Sequence, residues 1–134
     1  MALNGAFQPQ GLTVSLTSNA AGGTSNSALI TTATIGALYK PTSVRFVPAV
    51  ANADIIWLSM TAVLTACVIP TPGTASPSPG TPTQALPLFP SVIELFSIVP
   101  WTPNIANLPN SGFYINFISL TASQTFHLIF GEGV

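Results

Sequence analysis

The stretch TPGTASPSPGTPTQALP, residues 71–87, constrains this chain more than any other segment. Proline stands at Pro72, Pro77, Pro79, Pro82 and Pro87, with Thr, Ser, Gly and Ala filling most of the spaces. Proline lacks an amide donor and clashes with a helical turn, so neither a helix nor a central strand can run through such a segment. Three roles remain: a linker between domains, a disordered segment, or a long arm thrown out of one domain. Length decides among them. Seventy residues precede the stretch, 47 follow it, and the chain has one cysteine. Domains below about 60 residues are marginal without disulfides or metals. A single β domain over residues 1–134, carrying a proline-rich arm or loop over 70–88, is the expectation, and such loops are usually functional.

Hydrophobic residues make up 48 % of the chain, enough for a core, but only 4 % are charged: Lys40, Arg45, Asp54, Glu94 and Glu132. A globule of this mass exposes roughly 6,600 Å², or about one charge per 1,300 Å². Neutral Ser, Thr, Asn and Gln, 41 in all, must wet the rest. With a net charge of −1, repulsion does little to keep copies apart. A surface largely covered by other protein follows more naturally than a lone, dispersed domain. Two basic residues are too few for a nucleic-acid backbone or for a basic membrane-binding face, so neither partner is expected. MALNGAFQPQ has no positive region and no long apolar core, so it does not read as a signal peptide. IIWLSMTAVLTACVI, residues 55–69, is uncharged but too short for a spanning helix, which needs about 20 residues. Core strands, or one buried helix, fit it better. Cys67 within it reads as a small buried hydrophobe.

Strand-like runs bounded by turn residues follow one another along the chain. They are LTVSLTS (12–18), ALITTATI (28–35), SVRFVPAV (43–50), IIWLSM, AVLTACVI, FPSVIELFSIV (89–99), FYINFISL (113–120) and QTFHLIF (124–130). About eight short strands predict an all-β sandwich, jelly-roll-like, with the proline-rich loop inside it. FYINFISL is apolar on both faces: Phe113, Ile115 and Phe117 on one, Tyr114, Ile118 and Leu120 on the other, broken only by Asn116. A sheet with one wetted face alternates apolar and polar, so such a strand calls for a cover, either the long loop or another subunit.

Catalytic material is scarce. His127 is the only histidine and shares a strand face with Thr125 and Ile129, opposite the more apolar Phe126, Leu128 and Phe130. No metal-ligand spacing, phosphate loop or G-x-S-x-G elbow is present. The chain is expected to be no enzyme and to need no cofactor. Arg45 and Glu94 each interrupt an apolar strand, VRFV and VIEL. Either both reach water at strand edges, or they pair within the subunit or across an interface, where such a pair can fix a register.

SVRFVPAVANADIIWLSM, PLFPSVIELFSI and YINFISLTASQTFHLIFGEGV together resemble small structural proteins of tailed-phage virions, with Pro87, Pro90, Glu94, Phe96, Gly131, Glu132 and Gly133 in the segments that carry the likeness. It covers about residues 43–134, in short apolar strands, neutral turns and a final hairpin running into the C-terminus. The resemblance implies a capsid cement or decoration protein on the outer surface of the head. Its partners would be the major capsid protein and further copies of itself, as a dimer or trimer, and it would have no catalytic residues. The competing expectation is a carbohydrate- or receptor-binding module of a virion that stacks ligands on Trp57 or Trp101. Trp57, in a solidly apolar strand, reads as core.

Overall fold

The computed structural model describes residues 7–36, 40–69, 85–97 and 99–132. Nine strands appear among the described residues: β1 (Gln8–Pro9), β2 (Val14–Thr17), β3 (Asn26–Thr31), β4 (Ser43–Pro48), β5 (Ile56–Thr61), β6 (Leu86–Leu88), β7 (Glu94–Phe96), β8 (Gly112–Ile118) and β9 (Thr125–Glu132). A one-turn helix α1 (Thr32–Ile35) and a 3₁₀ turn at Ile105–Asn107 complete the described elements. All the strand pairs are antiparallel and form two sheets. The first runs β1-β9-β4-β7, with β2 also on β9; the second runs β3-β8-β5-β6.

β1 and β2 are two pieces of one edge, since Gln8 lies opposite Glu132 and Val14 opposite Leu128. Between them Gly11 takes φ +78, and a Cβ there would sit 2.5 Å from the Ile35 carbonyl oxygen. Only glycine permits that approach. With β1 and β2 counted together, the chain pairs first strand with last (β1/β2 with β9), then β3 with β8, β4 with β7, and β5 with β6. This is one long antiparallel ribbon folded at the β5–β6 connection. Wound so that β9 also meets β4 and β8 meets β5, it makes an all-β jelly-roll sandwich.

The inner faces meet in a core led by Phe46, Phe113, Phe126 and Phe130, all fully buried. Aromatic contacts lock the two sheets together: Phe117 on Phe126 at 5.2 Å and Phe113 on Phe130 at 6.2 Å. The alternation expected on β9 is present, with Phe126, Leu128 and Phe130 inward. Truncating such a phenylalanine to alanine costs about 3–5 kcal/mol.

Several segments depart from the sequence expectation. ALITTATI is a strand only to Thr31, whose hydroxyl accepts from the Thr34 amide at 3.1 Å and caps α1; Gly36, at φ 64, ends it. Among its described residues, FPSVIELFSIV pairs only over Glu94–Phe96. The expected final hairpin is absent: β8 lies in the second sheet and β9 in the first, so the turn between them crosses the sandwich. AVLTACVI is no strand. The Thr61 and Thr65 hydroxyls both donate to the Val63 carbonyl, at 2.7 and 2.8 Å, and divert the chain from the ladder.

Candidate functional site

After that diversion, residues 62–69 cross the outer face of the second sheet as a strap. Asn116 on β8 lies beneath it, opposite Ser27 on β3 and Ser59 on β5, and is fully buried. An amide side chain offers two donors and two acceptor positions, and all four are used here. Its Oδ1 accepts from Ser27 Oγ at 2.7 Å and from the Thr65 amide at 3.3 Å. Its Nδ2 donates to Thr61 Oγ1 at 2.8 Å and Ser59 Oγ at 3.3 Å. Two residues on, the Cys67 amide donates to Ser25 Oγ at 2.8 Å, and its thiol reaches the Trp57 carbonyl at 3.4 Å. Burial pushes the Cys67 thiol up from 9.0 to about 11, so it stays protonated near neutral pH and is a poor nucleophile. As expected, Cys67 is buried, and its thiol is free within the chain.

The strap supplies part of the cover that FYINFISL required. Ile118 lies 6 % exposed beneath it, while Leu120, beyond the strand, is 68 % exposed. The lone Asn116, which reads in the sequence as a break in an apolar face, is the node that fixes the strap.

Arg45 and Glu94 occupy neighbouring strands but leave the first sheet on opposite faces. Arg45 lies opposite Leu95 and Ile129 on the outer face, its guanidinium 4.5 Å from the centre of the Phe7 ring. Glu94 lies opposite the fully buried Phe46, on the inward side. Within one subunit the register separates them. Pro72, Pro77, Pro79 and Pro82 fall outside the described residues. Pro87 is the middle residue of β6, opposite Trp57, on an edge strand where a missing amide is tolerated.

Trp57 is not a core residue: it is half-buried on the outer face, between Pro87 and Ile118. Trp101 is held by the fold itself, with its indole N–H donating to the Pro41 carbonyl at 2.7 Å and its ring against Phe113 and Phe130. His127 takes the less buried face, as expected, and its Nδ1 meets Ser15 Oγ at 2.7 Å. Among the described residues no three His, Cys, Asp or Glu side chains cluster as metal ligands. Asp54 accepts from the Ile55 amide and from the amide and hydroxyl of Thr121. Glu132 accepts from Thr42 Oγ1.

Two amides that nothing in the sequence pattern singles out tie the loops at one end of the sandwich. Asn52 brackets Thr125, donating to its carbonyl at 2.6 Å and accepting from its amide at 2.9 Å. Gln124 Oε1 accepts from the amides of Ala53 and Asp54. Charge is also unevenly divided. β4, β7 and β9 of the first sheet carry Arg45, Glu94 and Glu132, whereas no strand of the second sheet, and no residue of the strap, is charged.

No protein-family model matches this chain, and neither a curated protein nor a solved structure matches it. Fold and site together define a jelly-roll sandwich whose uncharged second sheet is strapped by residues 62–69.

Proposed function

We propose that this protein is a structural, non-enzymatic component of a virion, a cement or decoration protein that stabilises a tailed-phage head from its outer surface. It acts through contacts with further copies of itself and with the major capsid protein. The observation that carries this reading is the uncharged second sheet, with exposed apolar side chains on its strap. Such a surface gains little from water or from ionic partners and is suited to broad, shallow contact with other protein. Repetition over a lattice makes weak contacts of this kind strong. The capsid context rests on the sequence resemblance. The carbohydrate-binding alternative is less well supported, because the Trp101 indole is engaged by Pro41, Phe113 and Phe130.

Particles prepared without the protein and then heated, with add-back at low and high salt, test the proposal. Added protein is expected to co-sediment and raise the temperature of particle disruption, with little salt dependence because the contacts are neutral. Particles equally robust without it, and no co-sedimentation, would sink the reading.

A further inference from the structure

Three of the four sheet edges formed by the described residues carry features that keep other strands away. β6 is three residues long with Pro87 at its centre, and β7 is three residues long and begins at Glu94. β1 and β2 are broken at Gly11, with Pro9 at the end of β1. Short strands, proline, charge and breaks are the ordinary protections of an exposed edge. β3 has none of them: its six residues, NSALIT, pair one-to-one with β8 without a bulge and form the border of the second sheet. The ladder fixes which of its backbone groups are spare. The Thr32 amide donates to the Ser111 carbonyl at 3.0 Å, and Thr102 bonds Gly112 from the opposite side of β8. Bonding direction alternates along an antiparallel strand, so Asn26, Ala28 and Ile30 turn their N–H and C=O groups to β8. Ser27 and Leu29 turn theirs outward, and among the described residues no group meets them there.

We infer that β3 pairs antiparallel with β3 of a second copy, joining the two second sheets across a two-fold axis. The spare groups name the chemistry of the occupant: an extended backbone, which offers N–H and C=O at matching intervals. Their order selects the strand's own image. With the axis at Ala28, Ser27 stands opposite Leu29 of the second copy, and Leu29 opposite its Ser27. The spare N–H groups, two from each copy, then meet the spare carbonyls with none left over. Ala28 meets Ala28 at the axis as a non-hydrogen-bonded pair, the closest approach in a ladder at about 4.5 Å between Cα atoms. A methyl side chain suits that approach. The contact also closes on itself, because each copy engages its one unprotected edge and the short β6, with Pro87, does not extend the sheet further. The inference rests on the self-association in the proposed function and not on its capsid context.

Sedimentation equilibrium and amide exchange of the full chain, compared at low and high concentration, test this. A concentration-dependent dimer is expected, with exchange at Ser27 and Leu29 slowed about tenfold or more in it. Ala28 and Ile30, already bonded to β8, should be protected at every concentration. Leu29→Pro removes an edge amide that β8 does not use and should abolish the dimer. Leu29→Ala keeps that amide and should still dimerise. A monomer at every concentration overturns the inference. So does a dimer in which Ser27 and Leu29 exchange as fast as in the monomer, a measurement that stands even if Leu29→Pro fails to fold. A dimer that survives Leu29→Pro, or is lost equally with Leu29→Ala, overturns it too. Protection of the two amides only when capsids are added would give the edge to the capsid protein and overturn self-pairing. A β3-paired dimer that ignores capsids would keep this inference and remove the virion reading; a monomer that binds capsids would do the reverse.

Discussion

On the outer face of the first sheet, Ser15 meets His127 at 2.7 Å and Thr17 meets Thr125 at 2.9 Å, both pairs open to water. On the outer face of the second, Ser27 meets Asn116 at the same 2.7 Å, but the pair is part-buried, with the strap's Thr65 amide on the same Asn116 oxygen. The two sheets share one core and similar cross-strand pairs, and they differ in what lies above. A polar pair under water exchanges one set of hydrogen bonds for another at little net gain. The same pair under protein must be fully satisfied, and then it specifies which residue of the strap sits where. The bare face can vary freely, while the covered face holds a register.

The largest effect should come from Asn116→Ala. The change leaves Ser27, Ser59, Thr61 and the Thr65 amide each short of a partner beneath the strap. A buried unsatisfied group costs about 1–3 kcal/mol, so a total loss of about 3 kcal/mol is expected, some water entering to offset the rest. Urea unfolding measures the loss, and amide exchange at Thr65 and Cys67 should quicken out of proportion to the rest. A loss below ~1 kcal/mol, with both amides still protected, would mean that the strap holds without its node.

Next comes the seal itself, read through Cys67. The folded thiol keeps its proton up to about 11, against an ordinary value of 9.0. Below pH 9 both states are protonated and this contribution to stability is fully present. As pH rises from 9 to 11 the unfolded chain releases the proton first, and the contribution is lost. Cys67→Ala should remove that part of the alkaline decline, and thiol reagents at pH 8 should label the native protein only as fast as the strap opens. Rapid labelling of the native state would show a face as open as that of the first sheet.

How much of this was legible beforehand varies with the physical cause. Alternation along β9 announced which side of Phe126, Leu128 and Phe130 faced the core, and short strands between turns announced a sandwich. The strap was hidden, because AVLTACVI has the composition of a strand. Two threonine hydroxyls on one carbonyl, a three-dimensional detail, turn it aside. Arg45 and Glu94 stood out as charges in apolar strands, but their opposed faces follow from a register that sequence alone does not supply. Trp57 looked like core because its neighbours are apolar on both faces; one of those faces is the outer surface. Asn116 was visible as the one polar residue on its side of β8, and a lone amide in an apolar strand was the available clue to a covered polar node.

The smallest effect isolates cover from geometry. Ser15→Ala and Ser27→Ala each delete a serine hydroxyl from a cross-strand pair of the same 2.7 Å length, on β2 against β9 and on β3 against β8. Water replaces the first hydroxyl on His127, so Ser15→Ala should shift stability by less than about 0.5 kcal/mol. Beneath the strap the pair is part-buried, so water has less access, and Asn116 Oδ1 keeps only the longer bond from Thr65. Ser27→Ala should therefore cost about 1 kcal/mol, near the typical value of one intramolecular hydrogen bond. Double-mutant cycles with His127→Ala and Asn116→Ala separate the pair energies from other losses. Equal coupling in the two pairs would show that distance and register set their worth and that the strap adds nothing. A larger coupling under the strap, abolished when the strap is loosened by Thr65→Pro, would assign the difference to the cover.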